Sequence, residues 1–315
     1  MPKGILIIGD IILDKYVYGT CDRLSPEAPI PVLNVTGQKV SLGGAANVAN
    51  NVANLDSKAY LFGMAGKDED AKTLVKLLNT QKINHDLIYI DELKTISKTR
   101  IIGNRQQIVR IDEETVKMGL TSSIIKKLLE KISCIIPEFH TIILSDYNKG
   151  MLSRSIINHI CSMGRENGIL VLVDPKCISW DRYNGASYIT PNFKEFSFAI
   201  NKKIKNEDKE IEKYGKKLLK KYNISNIVVT RAEKGISLIN KKISIHFPTS
   251  NQNVYDVSGA GDTVIATIAY CLGQGIDIEG CLHWANIAAG MVIKKLGAHP
   301  IQLNELIKLG FNKNE

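Results

Sequence analysis

The segment DVSGAGDTVIA, residues 256–266, sets two glycines and an alanine between two aspartates and then turns apolar. Beyond Gly261, the spacing of Val264, Ile265, Ile268, Ala269 and Leu272 is helical, and Gly273 is a natural stop. Gly259, Ala260 and Gly261 therefore form the first turn of a buried helix. Unpaired backbone N–H groups and the helix dipole favour an anion there. Side chains this small let a phosphate reach the backbone. An aspartate in the same turn, Asp262, can take a proton from a hydroxyl that attacks that phosphate. The competing reading is an aspartate that only complements the dipole, and composition alone leaves both standing.

A second glycine element, SLGGAANVANNVANL, places Gly43 and Gly44 before a helical pattern. Ala45, Val48, Val52 and Leu55 mark one face, and Asn47, Asn51 and Asn54 the other. The glycines permit close approach of a ligand, and Asn47 in the first turn can hydrogen-bond sugar hydroxyls. A tight helix–strand crossing explains the same pair. Neither GxGxxG nor GxxxxGK(S/T) occurs, and GMAGKD at 63–68 lacks the spacing and hydroxyl of a P-loop.

The elements that must hold these turns are short apolar runs between amphipathic segments: ILIIGD, AYLFGMAG, HTIILSD, ILVLVDP, SYITPN and NIVVTRAEKG. This alternation predicts βαβ units and a parallel sheet covered on both faces. Ligands in such sheets bind beyond the strands' carboxyl ends, where Asp10, Asp146, Asp174, Asn192 and Thr230 all fall. YVYGTCDRLSPEAPIPVLNVTG and SKTRIIGNRQQIVRID break the alternation and read as exposed strands outside the main sheet, a small lid.

Bulk properties remove several classes. With 315 residues, 44% hydrophobic and 23% charged, the chain is globular rather than disordered. No apolar run approaches the roughly 20 residues of a membrane helix. The N-terminal MPKGILIIGDIILDKY is broken by Asp10 and Asp14 and reads as a strand, not a signal peptide, so a cytoplasmic protein is expected. Six scattered cysteines (Cys21, Cys134, Cys161, Cys177, Cys271, Cys281) without a CxxC pair argue against zinc and a disulfide framework. The net charge of +9 owes much to Lys213, Lys216, Lys217, Lys220 and Lys221, opposite Ile211, Tyr214, Leu218 and Tyr222. That pattern is a solvated helix face and not a nucleic-acid footprint.

GGAANVAN and DVSGAGD together resemble the two signatures of the ribokinase-like (PfkB) carbohydrate kinases. Within that family GDIILDKYVYGTCDRLSPEAPIPVLNV, RQQIVRID, LSDYNKG, VDPK, TPNFKEF, VTRAEKGISL and ANIAAGMVIKKLGAHP resemble the D-glycero-β-D-manno-heptose 7-phosphate kinases, nearly end to end. RLSPEAPIPV and RQQIVRID are particular to this subgroup. The resemblance implies a three-layer α/β/α fold, with a mostly parallel sheet, over residues 1–315 as one domain, and lid strands from about 15–38 and 85–112. It implies ATP and Mg²⁺, leaves a monovalent cation open, and implies phosphorylation of the anomeric C1 hydroxyl in ADP-heptose synthesis for lipopolysaccharide core.

Carried over to this chain, the resemblance makes Asp262 the base and Gly259, Ala260 and Gly261 the anion hole. Asp14, Gly43, Gly44 and Asn47 hold the sugar. Asn192 and Glu195 form an NxxE element organising Mg²⁺ and phosphate, Glu195 reaching the metal through water. Thr230 and Gly235 line the nucleotide phosphates and Asn286 the adenine. The acceptor's 7-phosphate needs a cationic clamp, for which Arg100, Arg105, Arg110, Lys149 and Lys176 are candidates, Arg105 and Lys176 foremost. Lone arginines on an exposed strand can equally be edge protection. Ser258 replaces the usual threonine and keeps the hydroxyl; Asn148 replaces a small residue in the DYxKG turn and tolerates a left-handed conformation. Many relatives carry a fused nucleotidyltransferase after the kinase; with none after residue 315, a kinase alone is expected. Exposed lid edges suggest a homodimer, with no nucleic-acid or membrane partner. The rival within the fold is another sugar kinase, ribokinase- or fructokinase-like. An NAD-dependent oxidoreductase lacks its GxGxxG, and a basic nucleic-acid-binding regulator rests on charge alone.

Overall fold

The computed structural model describes residues 4–115, 120–176, 179–249, 256–294 and 299–312. Cys177, together with residues 295–298 of the motifs quoted above, lies outside them. Nine strands form the central sheet: β1 (Gly4–Gly9), β4 (Ala59–Ala65), β5 (Asn84–Tyr89), β8 (Phe139–Ser145), β9 (Leu170–Asp174), β10 (Tyr188–Ile189), β11 (Asn226–Thr230), β12 (Ile236–Asn240) and β13 (Ser244–Phe247). Their order is β13-β12-β11-β10-β9-β8-β1-β4-β5. All pairs are parallel except β11–β12 and β12–β13, so one antiparallel edge closes a doubly covered parallel sheet.

The period of two distributes each apolar strand between two cores. Ile5 and Ile7 of β1 face helices α1 (Ala45–Asn54), α2 (Glu69–Thr80), α7 (Ala260–Gly273) and α8 (Ile278–Val292), beside Val48, Leu74, Ile265 and Leu282. Leu6 and Ile8 face the opposite layer of α3 (Ser122–Ile135), α4 (Arg154–Glu166), α5 (Phe193–Ile200) and α6 (Asp208–Tyr222), with Leu128, Ile160, Phe196 and Leu218. A short α9 (Leu303–Ile307) packs on α7 and α8 through Leu303, Leu306, Tyr270 and Cys281. Lys213, Lys216, Lys217, Lys220 and Lys221 of α6 are exposed, and Ile211, Leu218 and Tyr222 are buried, as their spacing predicts.

A second sheet holds β2 (Ile11–Leu24), β3 (Pro31–Gly44), β6 (Ile96–Gly103) and β7 (Gln106–Glu113), in the order β3-β2-β6-β7. Its outer pairs are antiparallel and its central pair, β2 with β6, is parallel. The chain passes from β1 into this sheet through Asp10 alone, so the N-terminal run divides between two sheets. The expected second lid stretch from about 85 differs in its start. Asn84–Tyr89 pairs with β4 in the central sheet, because its buried Leu87 and Ile88 join the two cores, and the small sheet resumes at Ile96.

The asparagine face of α1 also differs from a simple amphipathic reading. Asn47 and Asn51 are buried against α7 instead of facing water. Asn51 donates to the Asn47 carbonyl at 2.9 Å and accepts from the Thr263 hydroxyl at 3.0 Å, stitching the two glycine-led helices together. Asn51 is tolerated there because both ends of its amide are paired.

Candidate active site

The strand tips converge as the sequence predicts. Thr230 and Asp174 end β11 and β9, and Asn192, Asp146 and Asp10 follow β10, β8 and β1, the five strands being adjacent. They divide into scaffolding and facing groups. Asp10 accepts the backbone N–H of Tyr147, Lys149 and Met151 at 2.9, 3.0 and 3.1 Å, shaping the loop after β8 around one buried carboxylate. Asp146 accepts the Asn148 amide at 2.8 Å and the Tyr183 hydroxyl at 2.6 Å. Asn148 takes φ 56°, the left-handed turn conformation. Burial pushes the Asp10 carboxyl up to about 6 against those three amides. Asp174, Asn192 and Thr230 instead line a cavity of about 1230 Å³.

At the other wall of that cavity stands the first turn of α7. Gly259 is its N-cap with φ 80°, a conformation only glycine takes without strain. The Ala260 amide donates to the Val257 carbonyl at 3.2 Å and that of Thr263 to Gly259 at 2.9 Å. The amides of Gly259, Gly261 and Asp262 meet no carbonyl among the described residues. A Cβ on Gly261 would touch nothing within 4 Å, so its α-carbon borders open cavity. Free amides at a helix N-terminus facing a cavity can hold an anion.

Asp262 is 5% exposed and borders the same cavity. Its Oδ2 accepts from Asn47 Nδ2 at 2.6 Å and its Oδ1 from the Tyr147 hydroxyl at 3.0 Å. Burial pushes its carboxyl up to about 6, although both hydrogen bonds and Lys176 favour the charged form. A carboxyl with that value is ionised at neutral pH yet basic enough to take a proton. The opposite oxygen of Asn47, Oδ1, is buried without a partner among the described residues, on the side chain whose Nδ2 meets Asp262.

The remaining residues separate into groups. Asn192 and Glu195 form a reciprocal capping box on α5, the Asn192 side chain taking the Glu195 amide and Glu195 Oε2 taking the Asn192 amide, both at 2.9 Å. Glu195 Oε1 is 2.5 Å from Lys176 Nζ. Lys176 is thus committed to this wall. Burial alone would lower its pKa, but Asp174 and Glu195 outweigh it and raise it. Gly235, at φ 78°, abuts the Phe247 carbonyl, and Asn286 donates to the Pro248 carbonyl at 2.9 Å; both line the cavity with Thr230.

Asp14, Gly43 and Gly44 lie on the small-sheet side and do not line the large cavity. A Cβ on Gly43 would strike the Asp14 carboxylate, and one on Gly44 (φ 55°) the Asp10 carbonyl. Packing of backbone on these two aspartates therefore already requires the glycines. Arg105 sits at the exposed hairpin tip between β6 and β7, at the end of the small sheet away from Ile12 and Gly43. The structure does not bring it to Asp262. Tyr147 and Arg231 carry no role in the sequence reading, yet both line the cavity. Arg231 is 1% exposed and ties Asn206, Asp208 and Ser237 together at 2.8, 2.5 and 2.8 Å. The signal for both was position, since each follows a strand-tip polar residue directly.

A helix start with free amides, a buried carboxyl of raised pKa in the same turn and a cavity at parallel strand tips fit a sugar kinase of ribokinase-like architecture. The chain belongs to the pfkB family of carbohydrate kinases, whose profile matches residues 3–304. It is 40% identical over 309 residues to the bifunctional protein HldE of Salmonella paratyphi B, which covers 97% of this chain and 63% of that protein's length. Among solved structures, Escherichia coli phosphofructokinase-2 in complex with potassium superposes with a TM-score of 0.81 at 17% identity, over 98% of each chain. Arabidopsis thaliana ribokinase complexed with ribose and ATP gives 0.78 at 19% identity, over 99% of this chain and 100% of that one. Identities this low carry the fold, not the substrate. No helix among the described residues is long and apolar enough to cross a membrane.

Proposed function

We propose that the protein transfers the γ-phosphoryl group of ATP to the anomeric C1 hydroxyl of D-glycero-β-D-manno-heptose 7-phosphate, giving the 1,7-bisphosphate. The single observation that carries phosphoryl transfer is Asp262, a buried carboxylate raised to about 6 in the same helix turn as unpaired backbone amides. The acceptor rests on the subgroup motifs RLSPEAPIPV and RQQIVRID.

In this reading the cavity bounded by Thr230, Gly235 and Asn286 takes the nucleotide, and its γ-phosphoryl lies on the amides of Gly259, Gly261 and Asp262. Asp14, Gly43, Gly44 and Asn47 hold the sugar from the small-sheet side. Asn47 has one amide end on Asp262 and its free Oδ1 to accept a sugar hydroxyl. Asp262 then takes the C1 proton as the oxygen attacks. The hydrogen bonds from Asn47 and Tyr147 fix the orientation of the carboxylate before substrate arrives. Asp174 and Glu195 present hard oxygens to the cavity but no group of three ligands occurs among the described residues. Such a pair fits Mg²⁺ held through water and phosphate, which would neutralise phosphate charge.

The test is ADP release with Mg·ATP across a panel of heptose 7-phosphate, unphosphorylated heptose, ribose, fructose and fructose 6-phosphate. The heptose 7-phosphate is expected to give the highest kcat/KM. A higher value for ribose or fructose would move the protein to the ribokinase- or fructokinase-like reading. The second proposal is a homodimer through the small sheet. Val40, Val109 and Ile111 share the sheet face opposite Asp14 and Arg100 and are 40–49% exposed. A second copy would cover that apolar face. Light scattering is expected to give twice the chain mass at micromolar concentration, and a monomer there rules the dimer out.

A further inference from the structure

The face of the small sheet turned toward Asp262 is charged. The register sets Asp14 beside Lys98 and Lys98 beside Asp112, then Tyr16 beside Arg100 and Arg100 beside Arg110. Most cations around this face are already paired. Arg100 Nη1 is 2.5 Å from Asp14, and Arg110 grips Asp112 through two bonds at 2.7 and 2.9 Å. Lys149 pairs with Glu114, and Lys176 with Glu195 on the nucleotide wall. Lys98 differs. Among the described residues it has no carboxylate within 4 Å and no hydrogen bond, although it is only partly exposed. Its Nζ stands 5.9 Å from the ring centroid of Tyr147, the residue whose hydroxyl donates to Asp262. One tyrosine side chain therefore bridges this unpaired ammonium and the base.

A half-buried lysine without a counter-charge is costly in the empty protein and becomes favourable when an anion arrives. Burial weakens its charged form; Asp112 and Asp14 favour that form, whereas Arg110 and Lys149 oppose it. The local field is thus short of negative charge, which a dianionic group would supply. We infer that Lys98 receives the phosphate monoester that the acceptor sugar carries, and so sets the preference for a phosphorylated acceptor. Lys149 and Arg110 add charge at longer range. The inference rests on the function proposed above, and it replaces Arg105 and Lys176 as foremost in the clamp.

The experiment compares heptose 7-phosphate with the same heptose lacking phosphate, in wild type and in Lys98→Met, which keeps the apolar stem and removes the charge. For the phosphorylated acceptor, kcat/KM is expected to fall about 10- to 100-fold, mostly in KM, as loss of a charge-assisted hydrogen bond predicts. For the unphosphorylated acceptor and for ATP, the expected change is below about threefold. Lys98→Arg should restore most of the loss. Equal losses on both acceptors, or an unchanged preference, overturn the role of Lys98 while leaving heptose 7-phosphate as the acceptor. A wild type that prefers the unphosphorylated sugar overturns both. If Lys98→Met does not fold, Lys98→Gln is read by the same ratio.

Discussion

Asp262→Asn is expected to cost about 10²–10⁴-fold in kcat, the usual contribution of a positioned base, while leaving the protein folded and more stable. Asparagine keeps the shape, can accept from Asn47 through its amide oxygen and can donate to the Tyr147 hydroxyl. What it removes is a buried charge. The carboxyl rises from 3.8 in the unfolded chain to about 6 in the folded protein. The folded state therefore binds its proton more tightly, and this stability is present at low pH and lost as pH rises through that window. At neutral pH the ionised group is a net cost, and its removal should raise unfolding stability by up to about 3 kcal/mol. Wild-type kcat/KM should fall on the acid side with an apparent pKa near 6, and the residual activity of Asp262→Asn should lack that limb. Stopped-flow or coupled ADP release and thermal unfolding across pH 5 to 8 measure both effects. A variant within tenfold of wild type would remove Asp262 from the chemistry, and one destabilised at pH 7 would show that its charge is well solvated after all.

The helix start and the strand tips were legible in the sequence because they depend on local rules. A glycine pair around alanine before an apolar helical period, and polar residues ending continuous Val/Ile/Leu runs, each fix conformation within a few residues. The parallel sheet followed from the same alternation. Pairings made across the fold were not legible. Asn47 and Asp262 are 215 positions apart, and Arg100 and Asp14 are 86 apart. Nothing local says that an asparagine face will meet a second helix rather than water. Asn84–Tyr89 carries the same mixed pattern as the small-sheet strands, and only its contact with β4 assigns it to the central sheet. The proposed cationic clamp was the hardest to read, since a lysine or arginine on a strand looks alike whether a carboxylate opposes it or not. Lys98 stands out only after Asp14, Asp112, Glu114 and Glu195 have been matched with their partners. Tyr147 shows the converse, a residue quoted within a motif whose role depends on three amides folding onto Asp10, 137 to 141 positions earlier.

Gly261→Val separates the anion site from the fold more sharply than any change at Gly259. At Gly259 the backbone itself needs glycine, with φ 80°, so a side chain there strains the helix start by about 1–2 kcal/mol and confounds stability with activity. Gly261 is helical, and its missing side chain would point into open cavity with no heavy atom within 4 Å. Valine there should therefore change unfolding stability by no more than about 0.5–1 kcal/mol, the balance of a slightly better backbone and a β-branched side chain in a helix. Its methyl groups would stand over the amides of Gly261 and Asp262, which meet no carbonyl among the described residues and on which the proposed function places the transferring phosphoryl group. Loss of an oxyanion-type donor costs about 10²–10³-fold in kcat, and displacing the phosphoryl group from two amides should cost at least that. Gly261→Ala, with one methyl, should fall between. Near-wild-type unfolding with activity declining from glycine through alanine to valine is the expected series. Undiminished turnover by a folded Gly261→Val would mean the phosphoryl group binds elsewhere, and the helix start would then be no more than a cap beside a buried aspartate.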